Sequence, residues 1–342
     1  MMKPCVAITL GDVAGIGPEV AARAVADDAV REICRPVIVG DATVVARAVK
    51  LIRGLIRIEE RATLADAVHA SEPGAIGVWN PLDAPLPAVT AGRVSDVAGR
   101  AAHDWLVAAI DAALAGEIDA ITTAPLSKAA LHAAGLAYPG HTEILAERCG
   151  VCAYAMMLYL PPGPMVAAAH GLGIAHVTLH TSIASVPALL TTPKVRSTIE
   201  LVDGFLRRLG CDRPRVGVCA LNPHAGEDGL FGDEEQRIIA PAVEAVRGAG
   251  IDTAGPFPAD TLIRRAVLGE FDGLAAMYHD QGHIALKLIA FGTAVNVTLG
   301  LPIVRTSPSH GTAFDIAWKG DADATGMIEA IRTAAKLATP GD

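Results

Sequence analysis

The chain has 342 residues, of which 51% are hydrophobic and 4% aromatic, with 28 Lys and Arg against 37 Asp and Glu for a formal charge of −9. That length exceeds what one hydrophobic core usually serves, so two domains are expected. An acidic balance with no basic run excludes nucleic acid as a partner, and the longest apolar run, Val151 to Leu160, is too short to cross a bilayer.

In chain order, Met1-Met-Lys-Pro-Cys5 runs straight into the strand-like Val6–Leu10 with no secretory pattern, which points to the cytoplasm. The loop Gly11–Gly17 follows, and Pro18-Glu19 opens a helix with proline at its first position. Val37–Val39 and Ile76–Trp79 read as short strands. Asp96 to Leu114 carries Val97, Ala101, Trp105, Ala108 and Ala112 at helical spacing. Ala120–Thr123 is a strand ending in a Thr-Thr-Ala-Pro125 turn. His141-Thr142 caps a helix, strands end near Leu160 and Leu179, and Thr192-Pro193 starts another helix. Asp233 is read as the cap of a helix reaching Ala249, and Asp260 as the cap of the one carrying Arg264 and Arg265. Ala322 to Leu337 is helical again. Strands alternating with helices predict an α/β fold of two α/β/α domains around mostly parallel sheets. The segment pattern suggests residues 1–128 plus 300–342 for the first domain and 129–299 for the second. The six cysteines are scattered and expected to be reduced; Cys149-Gly-Val-Cys152 has redox spacing but leads into an apolar strand.

Three histidines stand just past apolar, strand-like runs. His180 follows Ile174–Leu179, His224 follows Val216–Leu221, and His279 follows Leu274–Met277. If those runs are neighbouring parallel strands, their carboxyl ends share one edge, where open α/β sheets bind ligands. Three imidazoles with an open coordination position make a catalytic site for one divalent metal. Imidazole softness suits zinc, cobalt or nickel; magnesium and manganese, used by related dehydrogenases, stay open. Asp280, beside His279, can orient a ligand or act in acid–base chemistry. Lys128 follows a strand end, where a proton shuttle and a solvated helix surface are both open readings. The Gly11–Gly17 loop fails the dinucleotide fingerprint: Val20 takes the place of the third glycine, and Glu19 puts a carboxylate where a pyrophosphate would meet the helix.

Seven segments stand in an order that resembles the 4-hydroxythreonine-4-phosphate dehydrogenase family of vitamin B6 biosynthesis. They are Gly11–Glu19, Gly140–Glu143, Leu221–Glu227, Pro258–Thr261, Tyr278–Gly282, Asn296–Pro302, and Arg305–Ser307 with His310–Ala313. His310–Ala317 also resembles the adenosine-binding loop of isopropylmalate and isocitrate dehydrogenases, which bind NAD without the Rossmann fingerprint. The resemblance implies an isocitrate/isopropylmalate dehydrogenase-like fold with its active site in the interdomain cleft. It implies a homodimer built through the second domain, with one metal-site histidine reaching across from the partner. It assigns the metal to His180, His224 and His279. Substrate contacts fall on His141, Thr142, Lys287, Asn296 and Arg305, and NAD or NADP contacts on His310, Gly311, Thr312 and Asp315. The implied reaction is oxidation with decarboxylation of a small 4-phosphorylated hydroxy acid. 4-Hydroxy-L-threonine 4-phosphate is the first candidate; 4-phospho-D-threonate and D-erythronate 4-phosphate are alternatives. A further branch, terephthalate cis-dihydrodiol dehydrogenase, resembles Ala175–His180 and needs no phosphate. Three departures stand out. Extra residues around Pro161–Gly173 include His170 as a rival first ligand, Ser309 replaces the usual aspartate, and Trp318 stands where glycine is common. The last two leave NAD against NADP open. His176 and His283 are read as packed side chains.

Overall fold

The computed structural model describes residues 3–82 and 84–339 and divides them into two compact units. The first takes the chain up to Cys152 together with Leu301–Thr339; the second is the continuous stretch Ala153–Gly300. The first boundary therefore lies at 152/153 rather than 128/129, while residues 340–342 of the expected first domain lie outside the described residues. The reason is packing. Helices Lys128–Ala133 and His141–Cys149 lie on the long helix Asp96–Leu114 of the first unit. Arg148 forks onto Asp111 with two contacts of 2.6 Å.

In the first unit the strands are β1 (Cys5–Thr9), β2 (Arg35–Val39), β3 (Arg57–Arg61), β4 (Ala75–Trp79), β5 (Ala120–Thr123) and, in chain order last, β12 (Val304–Pro308). They lie in the order β3-β4-β2-β1-β5-β12, every pair parallel. Every residue of β1 and β5 is buried, which is why these strands read as continuous apolar runs instead of alternating ones. The helix predicted at Asp96–Leu114 forms over that span, capped by Ser95, whose Oγ accepts from the Ala98 amide at 3.3 Å. Its Trp105 is buried and donates to Asn80 at 3.0 Å.

The second unit holds β6 (Ala155–Leu160), β7 (Leu172–His176), β8 (Val216–Cys219), β9 (Thr253–Phe257), β10 (Gly273–Ala276) and β11 (Val295–Leu299). Their order is β11-β6-β7-β10-β8-β9. β6 runs antiparallel to both neighbours, and β7, β10, β8 and β9 are mutually parallel. β7 stops at His176 instead of Leu179, although the Val177 and Thr178 amides continue the ladder to Ala276 and Met277.

Three caps differ from expectation. The helix Ala259–Val267 begins after Pro258, so Asp260 sits inside its first turn. A π-helical stretch, Glu235–Ile239, precedes the helix Ala240–Gly248 and moves the cap from Asp233 to Glu234. The helix His141–Cys149 is entered from Gly140. Pro258, Glu234 and Gly140 enter these helices, and none of the three makes a side-chain cap hydrogen bond.

Candidate active site

In the second unit β7, β10 and β8 are adjacent and parallel, the arrangement on which convergence of the three histidines depended. His180 and His279 come together, their ring centroids 5.5 Å apart. His279 is the first residue of the helix His279–Ala290, and its Nδ1 lies 2.6 Å from Asp280 Oδ1. An imidazole that donates Nδ1–H to a carboxylate keeps its Nε2 lone pair for a cation. Gln281 ties the two strand ends together: its Oε1 accepts from the Met277 amide and its Nε2 donates to the Ala220 carbonyl, each at 2.7 Å.

His224 stands elsewhere. It begins a run of left-handed residues (φ 52° at His224 through 55° at Asp228) and faces Phe231 at 6.2 Å. The buried Glu235 carboxylate braces the entry to that turn, accepting from the Leu221 and Asn222 amides at 2.8 Å each. Among the described residues no three His, Cys, Asp or Glu side chains are grouped to hold a metal. The pair His180 and His279, with the Asp280 carboxylate behind it, fits a cation site that lacks one ligand. His170 does not join the pair; its backbone carbonyl accepts from the Tyr159 hydroxyl at 2.8 Å.

Two histidines read from sequence as packed side chains complete this cluster. His283 stacks on His279 with centroids 3.7 Å apart and planes 12° apart, and its Nδ1 lies 3.2 Å from Nε2 of His176. Burial pushes His176 down to about 4. Burial, with His176 and His279 nearby, pushes His283 down to about 2, so both are neutral imidazoles. Spacing places His283 on the helix face of His279, since His279, His283 and Lys287 recur at i, i+4 and i+8, while His176, in β7, carries no such mark. Lys287 is half-buried, with Nζ 5.8 Å from the Phe291 ring. Asn296 lies in β11 opposite Leu158, and its buried Oδ1 has no partner. A buried polar atom without a partner is costly, and a ligand group would relieve that cost.

In the first unit Arg305 lies in β12 opposite Ile121 and is almost wholly buried. Its Nη2 donates to Thr123 Oγ1 at 2.6 Å. Burial lowers the guanidinium to about 9, partly offset by Glu143. Burial and then the Arg305 charge push His141 well below the usual imidazole range, so it is neutral. Thr142 is buried beside it. Lys128 is exposed, yet its Cε lies 4.0 Å from where a Cβ on Gly140 would stand, next to the same turn. The structure thus gathers His141, Thr142, Lys128 and Arg305, with Thr123 as a member the sequence did not single out.

The loop His310–Asp315 packs on the Gly11–Gly17 loop. The Ile16 amide donates to the Thr312 carbonyl at 3.0 Å, and a Cβ on Gly15 would meet that oxygen at 2.7 Å. Glu19 is fully buried; it accepts from the Trp318 amide and, at 2.9 Å, from Gly320. That carboxylate braces a loop where a dinucleotide fold would bind pyrophosphate. His310 Nε2 and Asp12 Oδ2 are buried without partners, groups a bound nucleotide can satisfy. Trp318 adopts φ 61°, held by its Nε1–H to the Val13 carbonyl at 2.8 Å and by the Arg47 guanidinium 3.9 Å above its ring.

Comparison with known proteins places this geometry. The family model described as pyridoxal phosphate biosynthetic protein PdxA matches residues 32–334. The chain belongs to the PdxA family. A 4-hydroxythreonine-4-phosphate dehydrogenase of Desulfosudis oleivorans is 44% identical over 96% of this chain and 94% of its own. A D-threonate 4-phosphate dehydrogenase of Cupriavidus necator is also 44% identical, over 98% of each. A crystal structure of 4-hydroxythreonine-4-phosphate dehydrogenase from Klebsiella pneumoniae matches with a TM-score of 0.83 and 41% identity, covering 98% of this chain and 100% of that one. Within the PdxA family this chain keeps the strand-end histidines and the buried arginine on different units.

Proposed function

We propose that this PdxA-family chain is an NAD(P)-dependent dehydrogenase that oxidises, with loss of CO2, a 4-phosphorylated hydroxy acid. 4-Hydroxy-L-threonine 4-phosphate is the first candidate and D-threonate 4-phosphate the second, because relatives of both names match at 44% identity. The observation that carries the reading is the buried Arg305 guanidinium next to the Thr123 hydroxyl and neutral His141. Such a fork, short of water, suits a phosphate dianion.

In this reading Arg305 binds the phosphate. His141 and Thr142 orient the carbon chain by hydrogen bonds that cost no charge transfer. Lys128 Nζ takes or returns a proton at the edge of the Gly140–His141 turn. His180 and His279 would hold a divalent cation that lowers the hydroxyl pKa and stabilises the enolate left by CO2. His310, Gly311, Thr312 and Asp315 would hold the nicotinamide cofactor, which supplies the hydride acceptor. Asp280 keeps the His279 Nε2 lone pair available.

The missing third ligand is His224 from a second copy of the chain. Exposed apolar side chains flank each of the three histidines: Ile183 and Leu189, Leu230 and Phe231, and Ile284, Leu288 and Phe291. Ile284, Leu288 and Phe291 fall at i, i+4 and i+7, a stripe of the kind a partner covers. The six free cysteines and the soluble substrate fit a cytoplasmic enzyme, and no described helix is long and apolar enough to cross a membrane. NADH and NADPH formation with 4-hydroxy-L-threonine 4-phosphate, D-threonate 4-phosphate and D-erythronate 4-phosphate tests the reading. No turnover on any of them overturns it, and Arg305→Ala with unchanged activity points to an unphosphorylated diol instead.

A further inference from the structure

The segment His279-Asp-Gln-Gly-His283 opens the helix at the candidate ligand, and only its first two residues are explained by the proposed cation site. Gln281 locks the strand ends, as above. Gly282 is buried against His176: a Cβ there would stand 2.6 Å from His176 Nε2, so no other residue lets the helix approach that ring. The remaining residue, His283, presents its ring flat against His279, with centroids 3.7 Å apart.

Hydrogen bonding fixes the orientation of both inner rings. His176 Nδ1 lies 3.0 Å from the Met156 carbonyl, which can only accept, so the proton is on Nδ1. In neutral His176 the Nε2 atom is then the acceptor, and His283 Nδ1–H donates to it at 3.2 Å. A chain of donors therefore runs from His283 through His176 to the backbone of β6. The Met156 carbonyl sets the His176 tautomer, and His283 also hydrogen-bonds the backbone of His279. His176 also lies within 5.9 Å of the His279 ring, so His279 is bounded by imidazoles on two sides and by Asp280 at its Nδ1.

We propose that His283 and His176 are positioning residues: anchored to the Met156 carbonyl, they hold the plane of His279 so that Nε2 points at the cation. This rests on reading His279 as a metal ligand. A ring free to swing on its Cβ must be immobilised each time a cation binds, at a cost in affinity. The stack removes that cost in advance. His176 donates from one strand and His283 from the helix, so a single face of the helix carries ligand and brace together.

The test is divalent-cation affinity of the full-length protein, with Co²⁺ as probe, measured by competition with a chromophoric chelator and by the visible spectrum of the bound ion. His283→Ala is expected to weaken Co²⁺ binding about 10- to 100-fold, the usual cost of losing a group that orients a ligand, and to alter the spectrum. His283→Phe keeps a flat ring on His279 and is expected to restore most of that loss. His176→Leu, which cuts the anchor and leaves the stack, is expected to give a smaller loss. Unchanged Co²⁺ affinity and spectrum in folded His283→Ala overturn the inference while leaving the ligand reading intact. So does His283→Phe binding no better than His283→Ala while its melting temperature matches wild type. Wild-type protein that binds no Co²⁺, or His279→Ala that binds as well as wild type, overturns the ligand reading itself and this inference with it.

Discussion

The two units treat their polar groups in opposite ways. In the first, Arg305 is buried in an all-parallel sheet, its hydroxyl partner comes from the neighbouring strand, and the adjacent His141 is neutral. The group is finished within one chain. In the second, His180 and His224 are exposed, His224 stands apart from the pair of His180 and His279, and exposed apolar residues follow each of the three in the chain. A charge recogniser gains from being built rigidly into a sheet, where water is excluded before the ligand arrives. In the proposed reading, a metal site finished by another copy would tie activity to assembly.

Removing Arg305 should have the largest effect. Arg305→Ala is expected to lower kcat/KM by roughly 100-fold, about 3 kcal/mol, chiefly through KM, and Arg305→Lys should recover little because the fork is lost. Steady-state kinetics with phosphorylated and dephosphorylated substrate would show it; equal losses on both would blur the contrast between the units. Next comes assembly. Leu288→Glu should convert dimers to monomers by light scattering and lose metal and activity together. A monomer that retains both would show that the second unit is complete alone. Chelation follows: stripping the metal should cost about 2.7 kcal/mol of stability relative to protein held at a hundredfold excess over Kd. Thermal melts with and without chelator measure this, and His279→Ala should be insensitive to the chelator.

The smallest effect is a pH dependence in the first unit. Burial raises Asp12 to about 6, the Ala14 amide opposing. An acid whose folded pKa is raised stabilises the fold at low pH, and that contribution is lost as pH rises from about 4 through about 6. Asp12→Asn should therefore be more stable than wild type at pH 8, by about 1–3 kcal/mol, and no more stable at pH 4. Denaturant titrations at both pH values check this. His141 runs the other way: its folded pKa is lowered, so its contribution is lost as pH falls below the ordinary imidazole value.

Much of this was legible in the residues. The helix at Asp96–Leu114 and the strand at Ala120–Thr123 declared themselves through spacing and burial. The adjacency of β7, β10 and β8 was a condition of the histidine reading, and the strand pairing meets it. Other parts were hidden for physical reasons. β3 (Arg57–Arg61) is an outer strand with a charged sequence, so no apolar alternation marks it. β9 contains Gly255-Pro256, residues that read as a turn. The separation of His224 from its fellows follows from a left-handed turn braced by Glu235, fourteen positions removed in the hydrogen bond to Leu221. His176 and His283 were passed over because a buried histidine looks the same in sequence whether it packs or braces. Their partner is another imidazole more than a hundred residues away.

The discontinuity of the first unit bears on how the protein is made. Leu301–Thr339 supplies β12 and the helix Thr325–Ala338, which packs on β12 and β5, so the strands of the first unit cannot all pair until those residues have been made. The stretch 153–300 is contiguous and can mature on the ribosome earlier. A nascent chain stalled before residue 301 would thus carry a finished second unit and a first unit still waiting for the strand that brings its arginine.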